Sequence, residues 1–190
     1  MRIISGAFKG RKLHSPQGLS VRPTSDRTRQ SIFNILSSSI EAFDGRRVLD
    51  LYAGTGAFGI EALSRGAQSA VFVEMEKHAL AALQHNVSVI PEPDRYEIIG
   101  MPVSSAIKLL QKKGVQFDLI FMDPPYGKNL VQSTLEAIAE TALYNQQTLV
   151  LCEHFIRDRL SEQYLQLCRI DTRQYGQTLV SFFKAIKSPV

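Results

Sequence analysis

The stretch Val48-Leu49-Asp50-Leu51-Tyr52-Ala53-Gly54-Thr55-Gly56-Ala57-Phe58-Gly59-Ile60 constrains this chain more than any other. Val48 to Tyr52 is a short apolar run that reads as a buried strand. A glycine-rich turn follows, then a helix through Leu63, with Gly66 placed to stop it. Strand, glycine turn and helix in that order bring backbone close to a nucleotide-like ligand at the carboxyl end of a first strand.

The pattern continues by alternation. Ala70 to Glu74 reads as a strand, and Leu80, Leu83 and Val87 mark a helix. Tyr96 to Ile99 is a short third strand, Val103, Ile107 and Leu110 another helix, and Phe117 to Met122 a fourth strand. Leu130 to Leu143 is mainly helical, and Thr148 to Cys152 is a fifth strand. Leu165 to Ile170 and Thr178 to Lys184 read as two strands joined near Tyr175-Gly176. The expectation is a doubly wound, Rossmann-like α/β domain. Its seven-stranded sheet is mostly parallel, with an antiparallel C-terminal edge. Residues 1–22, punctuated by Gly6, Gly10, Pro16 and Gly18, read as a small hairpin or an extended arm ahead of a domain over 23–190, the whole forming a single globular domain. Pro23-Thr24-Ser25 opens a helix whose Ile32, Phe33, Leu36 and Ile40 face the core, with Thr24 or Ser25 as N-cap.

Gly54-x-Gly56-x-x-Gly59, with Glu74 twenty positions after Gly54, matches a dinucleotide fingerprint taken literally. Asp50 argues against a pyrophosphate, because a carboxylate at the strand end repels an anion and favours a ligand carrying an ammonium and a sulfonium. S-adenosylmethionine carries both, and Asp50-x-x-x-Gly54-x-Gly56 followed by Glu74 resembles the cofactor loop of class I methyltransferases. A tight strand-to-helix turn with no ligand is the plainer alternative for the glycines alone.

The fourth strand runs straight into Asp123-Pro124-Pro125-Tyr126. Consecutive prolines fix the backbone and remove two N–H donors, so this loop offers carbonyl oxygens and the Asp123 carboxylate as acceptors. Acceptors suit an exocyclic amine on a base. If Asp123 and the Pro124 carbonyl each take an N–H, the nitrogen lone pair is left aimed at a methyl donor, with Tyr126 stacking on the ring. Asp-Pro-Pro-Tyr after a strand, about 70 residues beyond a Gly-x-Gly loop, looks like the catalytic motif of amino-methyltransferases acting on adenine or guanine. Release-factor glutamine methyltransferases are similar but carry Asn at the position of Asp123, where an amide substrate needs a donor as well. Asp123 favours a nucleobase.

Residues 1–30 hold seven bases, Arg2, Lys9, Arg11, Lys12, Arg22, Arg27 and Arg29, against Asp26 alone. That is +6 within a chain of net charge +4, so the rest sums to −2. A basic arm on a near-neutral body points to a polyanionic partner, although a solvated charged surface has the same composition. Arg2-Ile3-Ile4-Ser5-Gly6, Gly10-Arg11-Lys12-Leu13, Arg22-Pro23-Thr24-Ser25-Asp26-Arg27-Thr28-Arg29 and Phe33-Asn34 resemble the bacterial 16S rRNA guanine-N2 methyltransferase family, often labelled RsmD, over nearly the whole chain. The resemblance implies methyl transfer from S-adenosylmethionine to the exocyclic N2 of a guanine in 16S rRNA, within a small-subunit particle. It further implies a catalytic set of Asp123, Pro124, Pro125 and Tyr126, and a cofactor set of Asp50, Tyr52, Ala53, Gly54, Thr55, Gly56 and Glu74. The basic N-terminal residues would hold RNA, with Arg27 near a phosphate or the cofactor carboxylate. Many relatives have an acidic or amide residue near Gly100-Met101, which this chain lacks. Its adenine would rest on backbone amides and an apolar wall of Met75 and Met101. Glu153 and His154, at the end of the fifth strand, are candidates for the substrate side, although a lone His there is more often structural.

Adenine-N6 methylation of DNA or RNA is the near alternative, since the same four residues could serve it. A non-catalytic RNA-binding assembly factor and a dehydrogenase are more distant. No apolar run is long enough to span a bilayer, and the N-terminus lacks the apolar segment of a secretion signal. Cys152 and Cys168 fit neither a metal cluster nor a disulfide framework. The expectation is a cytoplasmic, metal-free monomer.

Overall fold

The computed structural model describes residues 1–15, 26–39, 43–88, 90–125 and 129–186, with the side chains of Asp26, Ser38 and Ser39 excepted. Tyr126, Arg22, Ile40 and the expected N-cap residues Thr24 and Ser25 fall outside the described residues.

The elements follow the alternation of the sequence. Helix α1 is Asp26–Ser39, and β1 (Arg47–Leu51) leads through the glycine turn into α2 (Ala57–Ser64). Then come β2 (Ser69–Val73), α3 (Lys77–Val87), a 3-10 turn at Pro93–Arg95, β3 (Tyr96–Ile99) and α4 (Val103–Lys112). The rest is β4 (Leu119–Met122), α5 (Leu130–Ala139), β5 (Leu149–Phe155), β6 (Gln163–Tyr164), β7 (Leu167–Tyr175) and β8 (Thr178–Ala185).

The strands form one sheet in the order β3-β2-β1-β4-β5-β8-β7-β6, the first five parallel and the last three antiparallel. Among the described residues there are eight strands rather than the seven expected. The addition is β6, two residues long and too short to leave a periodic signal. The last strand of the chain is also not the edge: β8 lies between β5 and β7, and β6 closes the sheet.

Both faces of the sheet are covered, because successive strand residues point to opposite sides. Val48, Phe72, Leu119 and Phe121 join one core with Phe33 of α1, Phe58 and Ile60 of α2 and Leu83 of α3. Leu49, Leu51, Val73, Ile120 and Met122 join the other with Val103 and Ile107 of α4 and Leu135 and Ile138 of α5. The helices therefore change sides between β1 and β4, which pair directly, Leu51 opposite Met122. At such a switch point the connecting loops diverge and leave a crevice beyond the carboxyl ends of the two strands.

The N-terminal segment is docked on the domain rather than extended as an arm. Arg2 and Lys12 form an antiparallel bridge, and Ile3, Phe8 and Leu13 belong to the first core. Glu61, buried on α2, accepts from Ile4 N at 2.7 Å and Ser5 N at 3.0 Å. Ser64 Oγ accepts from Phe8 N at 2.9 Å. A Cβ on Gly6 would lie 1.7 Å from the Ser64 carbonyl oxygen, so only glycine fits that approach.

Candidate active site

The cofactor turn is built by the end of β1. Ala53 N donates to Val73 O at 3.0 Å and Gly56 N to Ala53 O at 2.7 Å, closing the turn against β2. Gly54 and Gly56 have φ of +55° and +78°. A Cβ on Gly54 would meet only the Tyr52 carbonyl oxygen, at 4.0 Å, so its outer face is open to a ligand. One on Gly56 would meet Leu83 Cδ1 at 2.4 Å, so this glycine serves the packing of turn on helix. Tyr52 is left-handed as well, φ +59°, a conformation that costs a non-glycine residue energy and that clusters at functional sites. Its hydroxyl lies 2.8 Å from Thr134 Oγ1 on α5, and partial burial raises the phenol pKa.

Two carboxylates flank this turn. Asp50 is 1% exposed and points to the α2 side, where its Oδ2 accepts from Gly59 N at 2.9 Å. Burial pushes its pKa up to about 8, against the lowering effect of the Gly59 bond and with a smaller push from Glu74. Asp50 is therefore not an open anion at the strand end. It fastens β1 to the first turn of α2. Glu74, just beyond β2, accepts from Gly54 N at 2.8 Å through Oε2, and from Met75 N at 2.8 Å and Glu76 N at 2.7 Å through Oε1. A carboxylate has about four acceptor positions, so three are spent on backbone.

Asp123 follows β4, its amide donating to Leu51 O at 3.4 Å, so the Asp-Pro-Pro loop leaves the sheet beside the glycine turn. Pro124 is buried and Pro125 exposed. Behind the loop, Phe121 stacks on Phe58 at 3.8 Å between ring centroids and 6° between planes, and Phe33 of α1 packs on Phe58 at 4.8 Å. Three elements thus fix the last strand residues before Asp123. The open face of Gly54 lies on the turn that the Glu74 carboxylate holds and beside the start of the Asp-Pro-Pro loop, an arrangement with room for a ligand that approaches the backbone.

Met75 is 65% exposed and follows Glu74, and Met101, beyond β3, packs on the second core. The two flank the carboxyl ends of β2 and β3, where an adenine wall would stand. His154 is held inside the sheet rather than open to a ligand. It is buried, its Nε2 is 2.9 Å from Ser181 Oγ on β8, and burial lowers its pKa. Glu153 is likewise buried within β5.

Of the basic set, Arg2, Lys9, Arg11, Lys12 and Arg27 are exposed. Arg29 is not: it is 2% exposed and its Nη2 donates to the Arg2 carbonyl, so it ties α1 to the hairpin instead of meeting a polyanion. Sequence reading also missed three buried polar residues that assemble the site. Glu61 and Ser64 hold the hairpin, and Asn86 donates to the Thr55 carbonyl at 2.9 Å from α3. A polar residue inside an apolar helical stripe was the available signal for Asn86, set between Leu83 and Val87.

The comparisons with known proteins fit this geometry. The conserved hypothetical protein 95 family matches residues 1–184. The chain belongs to that family. Within it, YlbH of Bacillus subtilis is 34% identical over 97% of this chain and 98% of its own length. The Escherichia coli protein named Ribosomal RNA small subunit methyltransferase D is 32% identical over 84% of this chain and 77% of its own. The solved structure of Escherichia coli YhhF superposes with a TM-score of 0.82 at 28% identity, covering 97% of each chain. The relationship implied by the two sequence motifs is the one found. Among the described residues, no helix is long and apolar enough to cross a membrane, and no group of three or more His, Cys, Asp or Glu could hold a metal ion.

Proposed function

We infer that the protein is an S-adenosylmethionine-dependent methyltransferase that modifies the exocyclic N2 of a guanine in 16S rRNA of the small ribosomal subunit. The observation that carries this reading is the pairing of β1 with β4, which brings the Gly54 turn and Asp123-Pro124-Pro125 to one crevice in a family that includes a small-subunit rRNA methyltransferase.

The cofactor, when bound, supplies an electrophilic methyl on sulfur. Gly54 and Gly56 shape the turn beside it, the remaining acceptor position of Glu74 takes a ribose hydroxyl, and Met75 with Met101 walls the adenine. Asp123 and the Pro124 carbonyl each accept one N–H of the guanine amine, which turns the nitrogen lone pair toward the methyl carbon. The bound cofactor would supply the methyl group to that lone pair, its sulfur keeping the electrons of the S–C bond. The amine then loses one proton, and Asp123 is the nearest base. Holding the reactants in line supplies most of the acceleration. Pro125 sets the loop, and Tyr126 stacks on the base. Arg2, Lys9, Arg11, Lys12 and Arg27 form a basic face for the RNA backbone. The reading takes the protein to act as a monomer, on RNA already within a small-subunit particle.

The test is transfer of tritium from S-adenosylmethionine to unmodified small-subunit RNA, naked and assembled, with the labelled nucleoside identified. N2-methylguanosine is the expected product, and better labelling of the assembled particle supports that substrate. Label in N6-methyladenosine keeps the mechanism and replaces the target. No label from a protein that binds S-adenosylhomocysteine would leave a non-catalytic role.

A further inference from the structure

A second cavity, of about 350 Å3, lies between the hairpin and α3, lined by His14, His78, His85, Ala81 and Ala82. Its size is at the lower end of small-ligand sites, ~300–1,000 Å3. His78 and His85 are seven residues apart, two helical turns, so both project from one face of α3 with the two alanines between them. The His14 and His85 rings meet edge to face, centroids 5.5 Å apart and planes at 69°.

The position of His14 is fixed by buried chemistry. Asn86 accepts from His14 N at 2.6 Å and donates to His14 O at 2.9 Å, pairing with that backbone as a strand would. The same amide nitrogen donates to Thr55 O of the cofactor turn. One buried side chain thus locks the cavity wall to the catalytic crevice. Arg11 and Lys12, both exposed, stand just before His14 in the hairpin.

The lining suits a flat aromatic guest better than an anion. Among the described residues its lining side chains are imidazoles and methyl groups, with no guanidinium or ammonium. The first free amides of α3 are not offered to a ligand, because Glu76 caps Ala79 N at 2.8 Å with its own carboxylate. Among the described residues, the three histidines are not part of a group of three or more ligands that could hold a metal ion. Single-stranded RNA is held by stacking of unpaired bases on aromatic side chains, His included.

We propose that this cavity receives one unstacked base of the RNA, distinct from the target guanine, against the imidazoles of His14 and His85 and the alanine floor. The proposal rests on the rRNA methyltransferase reading. It gives the enzyme a second point of grip, rigidly spaced from the site of transfer.

The experiment compares wild type, His14→Ala, His85→Ala and His85→Phe in the tritium-transfer assay at several salt concentrations, with S-adenosylhomocysteine affinity measured alongside. In each alanine variant the RNA KM should rise about tenfold, the scale of one lost stacking contact, with kcat and cofactor affinity within about twofold. The slope of log KM against log salt should stay as in wild type, and His85→Phe should restore the KM. Unchanged KM in both alanine variants overturns the proposal. A raised KM with a shallower salt slope and no rescue by Phe overturns it in favour of a phosphate contact. Loss of cofactor affinity would overturn it by making the cavity part of the cofactor site. Wild type that transfers to no RNA defeats the underlying reading, and this inference with it, whereas normal wild type with unaffected variants defeats this inference alone.

Discussion

Tyr52 and Thr134 join the cofactor turn to the helix that follows the Asp-Pro-Pro loop, hydroxyl to hydroxyl at 2.8 Å. Tyr52 stands at φ +59° directly after β1, and Thr134 is buried one turn into α5. The bond ties the residue that follows β1 to α5. Tyr52→Phe deprives a buried hydroxyl of this partner and should cost ~1–3 kcal/mol of unfolding free energy. Adding Thr134→Val removes the orphaned group, so the double variant should be more stable than Tyr52→Phe alone. Urea unfolding of Tyr52→Phe, Thr134→Val and the double variant decides it, and simple additivity of the two single losses would show that the bond carries no coupling.

Asp50 ionises at about 8 in the folded protein, against its ordinary 3.8. Between those values the folded chain keeps a proton that the unfolded chain has released, so raising the pH destabilises the fold. The contribution linked to Asp50 is intact below about pH 4, declines above it and is fully lost once pH passes about 8. Asn at position 50 can still accept from Gly59 N and stays neutral. Asp50→Asn should therefore flatten the fall in unfolding free energy between pH 5 and 8, and gain on wild type toward pH 8. Parallel pH profiles for the two proteins would refute the raised pKa.

Asp123→Ala should lose most turnover, by ~10²-fold or more, because one of two acceptors orienting the amine is gone. S-adenosylhomocysteine binding should stay within about twofold, since the cofactor turn lies on a separate strand. Steady-state kinetics with calorimetry separates the two, and near-normal turnover would sink the assigned role.

The alternation of strands and helices was readable because each element has one dominant period and glycine or proline at its ends. The crevice was readable for the same reason: β1 and β4 are short apolar runs that stop at motifs. What periodicity did not carry was direction within the buried layer. Asp50 alternates with Val48 on the α2 face, and its environment follows from Gly59, nine residues away and adjacent only in the folded state. Arg29 looked like its neighbour Arg27, yet two residues on a helix differ by about 200° in facing, so one is exposed and the other is under the hairpin. Phe121 and Phe58 stack across 63 positions of sequence, a contact set by sheet order and not by any local signal.

Gly59 shows how tightly α2 lies on the sheet. A Cβ there would come within 2.3 Å of Phe72 Cε1, and Phe72 is fully buried with no room to turn aside. Gly59→Ala should destabilise by ~1–3 kcal/mol through overpacking, although Ala is the better helix former. A variant as stable as wild type would mean that the α2–β2 gap opens without strain.

Glu61 gives the most direct test of how the hairpin is held. Its carboxylate is completely buried and accepts from Ile4 N, Ser5 N and Arg65 Nε, the last at 2.8 Å. Removing it leaves two hairpin amides and a largely buried guanidinium without that partner, an arrangement that costs ~3–5 kcal/mol when one member of a buried pair is deleted. In Glu61→Ala the loss should be partly local, because residues 1–13 touch the domain mainly through α2 and the first core. Amide exchange in Ile3, Phe8 and Leu13 should accelerate well before that of β1 and β4, and RNA KM should rise while S-adenosylhomocysteine affinity holds. Uniform acceleration through the whole sheet would show instead that hairpin and domain unfold as one unit, so that the basic face cannot be loosened without loss of the crevice.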